Sequence, residues 1–444
     1  MNKFWTVPFL LMVGVSILGV LIPPGAVIDS KAVVDPGNIA WMLCSTALVL
    51  LMTPGLAFFY GGMVSAKNVI STMLQSFISM GVISLLWILV GFSLAFGDSI
   101  GGFIGDPRTF FMFQGVGEGT HPTLGAALVG ANPSIPLLLF ALFQLKFAII
   151  TPALITGSFA ERVRFSGYLL FICLFSLLIY CPLAHMAWHP DGILFKWGVL
   201  DFAGGTVVHI SAGLAALVGA MFLKQRKSHI EKVSHSPANI PFVILGTGLL
   251  WFGWFGFNAG SALGANSLGV LAFATTNTAS AAAALAWVFF DAVRGRKVSA
   301  MGACIGAVVG LVAITPAAGF VTVPSSIFIG TFASITSNIV VYWKTKTQLD
   351  DTLDVFPCHG VGGIVGMIFT AIFATEKWGG VVATGKLDLL ITHLKGLGLV
   401  AGFVIGGSYC LYQLVNLLIP IRVKEEQEAV GLDMSQHGEQ LITF

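Results

Sequence analysis

Long, uninterrupted apolar stretches constrain the fold of this chain more than any other feature. Eleven such stretches follow an N-terminal segment, and each is close to the roughly 20 residues that a helix needs to cross a bilayer. They cover approximately residues 40–62, 69–97, 135–157, 167–187, 205–223, 240–259, 267–290, 300–317, 320–343, 357–375 and 395–419. Membrane β-strands would instead be about 10 residues of alternating polarity. The pattern predicts an all-α integral membrane protein with eleven transmembrane helices in a lipid bilayer.

The low charge content favours the same class. Only 9% of the 444 residues are charged, whereas soluble domains contain roughly 25%. The net charge of +2 and the lack of a basic tract argue against nucleic-acid binding. The six cysteines lie in apolar segments without paired metal-ligand spacing. We therefore expect no metal and no other cofactor.

The N-terminal segment, residues 1–26, has the pattern of a secretory signal peptide. Lys3 precedes an apolar run that ends before Pro23 and Pro24. We favour a cleaved signal over a retained extra helix, and either interpretation places residue 40 outside the cytoplasm. The segments that then face the cytoplasm hold more than twice as many lysines and arginines as the outer ones. We expect a multi-pass protein of the cell inner membrane with a cytoplasmic C terminus.

The remaining chain divides into a membrane domain over 35–420 and a cytoplasmic tail over 421–444. No polar stretch between the apolar ones is long enough for a second globular domain. Two blocks within the membrane domain look related, because Asp201 precedes His209 and Asp354 precedes His359 in glycine-rich helices. An odd number of helices per repeat inverts the second copy. The pattern predicts inverted five-helix repeats plus a final helix.

The two intramembrane histidines, His209 and His359, are the most informative polar residues. Polar side chains are costly in lipid, and a neutral imidazole offers one donor and one acceptor. A pair of imidazoles can therefore line a path for a small polar molecule or relay a proton. The alternative is two separate structural histidines, each bonded to a neighbouring helix. Asp201 and Asp354 lie near helix starts, and we interpret both as helix caps.

Aromatic residues are too numerous to indicate a site by themselves. Trp188 is an interface residue by default, and Phe147 and Phe257 are core residues by default. Ser261 follows Phe257 by four residues and shares its helix face if the helix continues. Faces of aromatic rings do bind ammonium-like cations, but spacing alone does not single out these positions.

Several sequence blocks, in order along the chain, resemble the Amt/Mep/Rh family of ammonium transporters. The strongest block is Asp201-Phe-Ala-Gly-Gly-Thr-Val-Val-His209-Ile-Ser-Ala-Gly. Supporting blocks begin at Pro54, Ala160, Trp254 and Asp354, and the tail from Glu425 to Glu439 is similar to bacterial Amt tails. The resemblance covers nearly the whole chain. It implies an ammonium transporter, with no enzymatic activity, built as an eleven-helix bundle.

The resemblance also implies a role for each matched residue. His209 and His359 would be twin pore histidines, and Phe147 and Phe257 a stacked gate. An outer cation site would use Trp188, Phe147 and Ser261, with Asp201 holding it together and Trp254 lining the nearby wall. The implied assembly is a homotrimer with one pore per subunit. A PII-type regulatory protein would bind at the cytoplasmic face.

The sequence departs from the family pattern at two places. Lys146 stands beside Phe147, and His189-Pro190-Asp191 replaces a usually glycine-rich stretch after Trp188. A neighbour on a helix is turned by about 100°, so Lys146 need not enter the pore. An altered outer site remains the alternative at this stage.

The implied mechanism solves the problem of selecting ammonium over potassium. A bare cation in a narrow apolar pore costs several kcal/mol, but ammonium can shed a proton and cross as ammonia. We expect recruitment at the outer site, deprotonation, and electrogenic transport. The alternatives are a non-conducting ammonium sensor, a channel for water or urea, and a membrane enzyme. No nucleophile–base set or metal cluster in the sequence favours the last.

Overall fold

The chain is described from a computed structural model that covers residues 3–23, 25, 33–124, 134–233 and 236–441. Its helices are α1 (Lys3–Leu21), α2 (Pro36–Met63), α3 (Ala66–Phe96), α4 (Leu137–Phe159), α5 (Phe165–Trp197, interrupted after Trp188), α6 (Gly205–Leu223), α7 (Ile240–Ala259), α8 (Ser267–Val293), α9 (Ala300–Ile314), α10 (Val323–Lys344), α11 (Phe356–Phe373), α12 (Asp388–Leu418) and α13 (Glu425–Val430). Short strands β1 (Ser99–Ile100) and β2 (Ile104–Gly105) pair antiparallel. Short helical turns cover Phe111–Phe113, Lys227–Ile230, Glu376–Trp378, Val381–Thr384 and Asp433–His437.

The structure confirms an all-α membrane architecture, but the predicted count of eleven spans is not confirmed. Within the described ranges, ten helices are long and apolar enough to cross a membrane. The predicted span 300–317 forms α9, a helix of only 15 residues. Pro316 explains the early end, because a proline has no N–H to continue the helical ladder. The chain turns there instead, and Ala317 N donates to Ile314 O.

Many helices begin where a side chain caps their free N–H groups. Asp35 accepts from Asn38 N at the start of α2 (2.7 Å). Asn239 does the same for Phe242 N at the start of α7 (3.0 Å). A cap contributes about 1 kcal/mol, so these polar residues fix where the apolar stretches become helices.

Reciprocal glycine contacts relate the two halves of the bundle. A Cβ on Gly213, four residues after His209, would lie 2.1 Å from Gly360 N. A Cβ on Gly363, four residues after His359, would lie 2.8 Å from the Ile210 side chain and 3.4 Å from the Cβ of His209. Helices α6 and α11 thus cross closely at their histidine-bearing segments, and each fits a glycine against the other. This exchange is what inverted repeats related by a two-fold axis produce.

Loop residues form a buried ionic cluster on the predicted cytoplasmic side. The Arg226 guanidinium pairs with Glu161 (2.5 Å) and with Asp350 (2.9 Å). Arg162, fully buried, donates to Asp350 O (2.5 Å). Burial alone would raise the pKa of Asp350, but the hydrogen bonds and charges of Arg226 and Arg162 outweigh it and hold that pKa below its usual range. The cluster ties together the ends of α4, α6 and α10.

The tail packs back onto the helix starts on this side. Its backbone pairs with the α4–α5 segment, since Arg164 N donates to Ile421 O (2.8 Å) and Val423 N to Arg162 O (3.0 Å). The Asp433 carboxylate accepts from Ile70 N (3.0 Å) and Ser71 N (2.7 Å) near the start of α3.

Helix α1 lies along the bundle near α5. Trp5 packs against Phe165 with ring centroids 6.4 Å apart, and the Gln114 side-chain amide donates to Pro23 O. Most of its described side chains are exposed. Cleavage of residues 1–26 stays a prediction, as do the division at 35–420 and the separate tail over 421–444.

Candidate functional site

Four buried rings form a continuous column through the middle of the bundle. The Phe147 and Phe257 rings lie 4.2 Å apart at 35°. Trp188 packs edge-on against Phe147 at 5.9 Å, and His209 lies 6.0 Å from Phe257. These residues come from α4, α5, α6 and α7, and none is more than 3% exposed. The structure therefore brings together residues that are distant in sequence but share one implied pathway.

Asp201 orders both Trp188 and the helix that carries His209. Its carboxylate accepts from Gly204 N (2.8 Å), Gly205 N (2.6 Å) and Thr206 N (2.7 Å), and from the Thr206 hydroxyl. Its backbone carbonyl accepts from Trp188 Nε1 (3.1 Å). Because the carboxylate is occupied by these donors, the predicted capping role matches the geometry.

The two histidines meet directly. His209 Nδ1 and His359 Nδ1 are 3.3 Å apart, and their rings are 5.4 Å apart at 25°. A hydrogen bond between two Nδ1 atoms holds one hydrogen, so two neutral rings must be opposite tautomers. One Nε2 then accepts and the other donates. The Nε2 atom of His209 is buried and has no hydrogen-bond partner among the described residues, which leaves it available to a small polar molecule.

Both histidine-bearing helices begin with a widened, π-type turn. The turns cover Gly205–Ile210 in α6 and Phe356–Val361 in α11. Such turns add a residue per helical turn and are frequent at functional sites. Each turn contains the histidine, so the two imidazoles project from matching backbone geometry.

Trp254 contacts the histidine end of the ring column. Its ring stacks on His209 at 5.2 Å and 20° and is 5.4 Å from Phe257. Its Nε1 donates to the Thr315 hydroxyl (2.9 Å). Its ring neighbours are thus the histidine and the inner phenylalanine rather than Trp188. Thr315, which the sequence did not single out, fixes the orientation of the indole.

Ser261 and Lys146 have different surroundings near the column. Helix α7 ends at Ala259, but the Ser261 hydroxyl still donates to Phe257 O (2.9 Å). Lys146 is half-buried, on the same stripe of α4 as Leu138 and Leu142. Phe147 is buried on a different face. Lys146 has no ion pair or hydrogen bond within the described residues, and its position does not interrupt the ring column.

The capping role predicted for Asp354 belongs to Asp351. The Asp351 carboxylate accepts from Phe356 N (2.8 Å) and Val355 N (3.2 Å). Asp354 instead pairs with Lys344 (2.5 Å), and its φ of +58° keeps it out of the helix. Asp351 precedes His359 by the same eight residues that separate Asp201 from His209. That spacing was visible in the sequence and could have identified Asp351.

A narrow cavity adjoins the histidines. Its walls include Ile150, Leu154, Leu250 and Val308, together with both imidazoles, Trp254 and Phe257. The space is about the size of one water molecule. Ammonia is comparable in size to water, and an apolar wall excludes a hydrated cation. The cavity can therefore hold a small neutral molecule that hydrogen-bonds to imidazole.

The chain is similar to known ammonium transporters. The model of the Ammonium Transporter Family matches residues 40–442. An ammonium transporter of Aquifex aeolicus is 45% identical over 92% of this chain and 94% of its own length. An ammonium transporter of Bacillus subtilis is 42% identical over 91% of this chain and 98% of its own length.

Solved structures resemble the whole fold. Mep2 of Saccharomyces cerevisiae superposes with a TM-score of 0.80 at 33% identity, covering 88% of each chain. A protein described as a sensor Amt protein superposes with a TM-score of 0.81 at 29% identity, covering 90% of this chain and 98% of its own.

Proposed function

The chain belongs to the ammonium transporter family, and from this premise we propose that it carries ammonium across the membrane as ammonia, along the column from Trp188 to His359. Membership supports ammonium transport by a multi-pass helical protein. The observation that carries the finer proposal is the unbroken ring column ending on two hydrogen-bonded imidazoles.

Recruitment takes place at the Trp188 end of the column. The Trp188 ring is held by its bond to Asp201 O, and Phe147 packs against it edge-on. An ammonium ion over such ring faces gains about 0.5–2 kcal/mol from cation–π attraction. Ser261, bonded to Phe257 O, offers a hydroxyl oxygen as acceptor. These three residues form the proposed recruitment site.

The phenylalanine pair is the step that rejects potassium. With 4.2 Å between ring centroids, the rings leave no room for a hydration shell. A bare ion would lose its solvation at a cost of several kcal/mol. Ammonium avoids that cost by dissociating at the recruitment site into a proton and neutral ammonia, and ammonia alone passes when the rings move apart.

The imidazole pair receives ammonia beyond the gate. The free Nε2 of His209 offers a hydrogen-bonding position, and the shared hydrogen between the Nδ1 atoms lets the pair change tautomer. Trp254 stacks on His209, and its hydrogen bond to Thr315 fixes the orientation of the indole. The pair can also relay the proton that ammonium released at the recruitment site, and we propose for that reason that proton and ammonia both cross and that transport is electrogenic.

Orientation, assembly and regulation complete the proposal. We place the protein in the inner membrane, with the Trp188 end outside the cell and the tail in the cytoplasm. The positive-inside rule supports this direction. A homotrimer with one pore per subunit and a PII-type protein at the cytoplasmic face follow from the family resemblance.

Replacing the recruitment tryptophan tests the proposal. Trp188→Leu should raise the concentration of methylammonium that half-saturates uptake into proteoliposomes by about two- to thirtyfold, because it removes the cation–π attraction. Trp197→Leu is the matched control, since Trp197 is 44% exposed and has no ring contact with the column. Unchanged half-saturation in Trp188→Leu would contradict recruitment at this site.

A sensor is the second candidate, favoured by the similarity to a sensor Amt protein. A sensor would bind ammonium at the same rings without net flux. Binding measured by calorimetry, together with no uptake by the same preparation, would favour the sensor. Saturable uptake would exclude a purely sensory role.

A further inference from the structure

A second recess lies outside the ring column, between the inner ends of α6 and α12. This groove has a volume of about 840 Å³. Its walls are mostly apolar, with polar and basic groups toward one end. The lining residues include Val218, Met221, Lys224, Ile405, Gly406 and Arg422.

The groove opens to the outside of the bundle. Met221 is 65% exposed and Ile405 is 41% exposed. A Cβ added to Gly406 would meet nothing within 4 Å, so this glycine leaves room for another molecule. Because α6 and α12 are both long enough to span the membrane, these apolar walls lie at hydrocarbon depth and suit an acyl chain.

The two basic residues at the end of the groove differ in their charge balance. The Arg422 guanidinium donates to Leu223 O (2.5 Å) and Gln225 O (2.8 Å), and it pairs with Glu428 (2.9 Å). Lys224 is exposed and forms no ion pair within the described part of the chain. Lys224 therefore lacks a direct ion-pair partner there, although Glu425, Glu426 and Glu428 line an adjoining recess together with it.

The backbone at Lys224 is unusual for a lysine. Its φ is +61° with ψ near 180°, a combination that glycine adopts more readily than any other residue. Non-glycine residues persist in such conformations at a cost of about 1–3 kcal/mol and cluster where ligands bind. A lysine rather than a glycine at this turn keeps a positive charge at the mouth of the groove.

We propose that the groove binds an anionic phospholipid of the predicted cytoplasmic leaflet. One acyl chain lies along Val218, Met221 and Gly406, and the phosphate contacts the ammonium group of Lys224. Basic pockets between transmembrane helices on the cytoplasmic side recognise lipid head groups in this way. The gradient from apolar wall to unpaired cation suits an amphiphile with a negative head, and it does not suit an apolar helix from another chain.

Photo-crosslinking of the reconstituted full chain tests this site. The probe is phosphatidylglycerol with a diazirine in one acyl chain, and labelled peptides are located by mass spectrometry. We expect labelling within 218–223 and 405–409. Excess unlabelled phosphatidylglycerol should compete better than phosphatidylcholine, whose choline carries a positive charge toward Lys224.

Matched variants separate the head-group contact from the acyl-chain contact. Lys224→Gln should weaken labelling about fivefold, the effect of one surface lysine on an anionic lipid, and Lys224→Arg should restore it. Lys227→Gln is the control, because Lys227 lies outside the groove. Gly406→Leu should abolish labelling, whereas Gly398→Leu should not, although its added side chain is equally free of neighbours.

Three results would overturn the proposal. One is equal labelling of the wild type, Lys224→Gln and Gly406→Leu. A second is equal competition by phosphatidylcholine. A third is a change of oligomeric mass with Gly406→Leu, because the groove would then be a contact between subunits. None of these outcomes depends on transport activity, so the experiment tests the lipid site independently of the ammonium pathway.

Discussion

Replacing one or both of the paired histidines should rank the variants differently in stability and in transport. The double variant should be more stable than the single variants but should transport less. His209→Leu leaves His359 Nδ1 without its partner, which is 3.3 Å away in the native protein. A buried polar atom that loses its partner costs about 1–3 kcal/mol. His209→Leu combined with His359→Leu removes both polar rings, and such paired replacements are nearly neutral. The single variants should therefore unfold at lower temperature than the double variant.

Transport should follow the number of imidazoles that remain. Each imidazole offers ammonia about one hydrogen bond in an otherwise apolar cavity, and losing about 1.4 kcal/mol there slows passage tenfold. We expect about a tenfold loss of methylammonium uptake in each single variant and about a hundredfold loss in the double variant. Two independent structural histidines would instead predict that uptake does not depend on the number of imidazoles.

The assays are thermal unfolding in detergent and uptake into proteoliposomes of matched protein content. If the double variant is less stable than both single variants, the lost hydrogen bond between the histidines does not explain the instability of the single variants. If the double variant transports as well as the wild type with selectivity retained, the twin-histidine pathway is wrong.

Three further predictions concern residues around the column. Asp201→Asn should lower the free energy of unfolding by about 2–4 kcal/mol and reduce uptake, because the new amide cannot accept from the Thr206 backbone and hydroxyl; unchanged melting would contradict its capping role. Asp350→Asn should cost about 3–5 kcal/mol, because the Arg226 and Arg162 guanidinium groups lose their ion pairs with the Asp350 carboxylate. Since the folded pKa of Asp350 is lowered, the stability difference between the wild type and Asp350→Asn should be constant above the unfolded pKa of about 3.9. It should shrink as the pH falls from there toward the lower folded pKa, and unfolding measured from pH 7 down to the acid limit of the fold tests this. Lys146→Leu should leave the half-saturating methylammonium concentration within about twofold, and a larger shift would mean that Lys146 acts on the recruitment site.

Sequence patterns were sufficient for the membrane architecture because hydrophobicity over about 20 residues reflects the bilayer itself. They overestimated the span that became α9, since the apolar stretch 300–317 continues past Pro316 although the helix does not. Hydrophobicity measures which residues lie in lipid, and a proline turn at membrane depth remains apolar. The number of helices is for this reason less predictable than the class of fold.

The site residues were predictable as a set but not in their contacts. Motif matches identified His209 and His359, yet only the fold shows that their Nδ1 atoms meet. Asp354 was interpreted as a cap because it lies near a helix start, whereas its side chain pairs with Lys344 and Asp351 caps the helix. Caps depend on where the backbone N–H groups point, which a linear pattern does not specify.

Trp254 illustrates the same limit for packing. Its sequence neighbour in the motif is Phe257, but its stacking on His209 depends on how α7 is placed relative to α6, which the motif does not specify. Its hydrogen bond to Thr315, which follows α9, comes from a distant part of the chain.

The central claim, selective transport of ammonium with net charge, is tested most directly by current. Purified protein in liposomes on a solid-supported membrane should give a saturable transient current with an ammonium gradient and a smaller one with methylammonium. An equal potassium gradient should give none. A potassium current of similar size would contradict selection by the phenylalanine gate, and ammonium binding without any current would contradict electrogenic transport and favour the sensor.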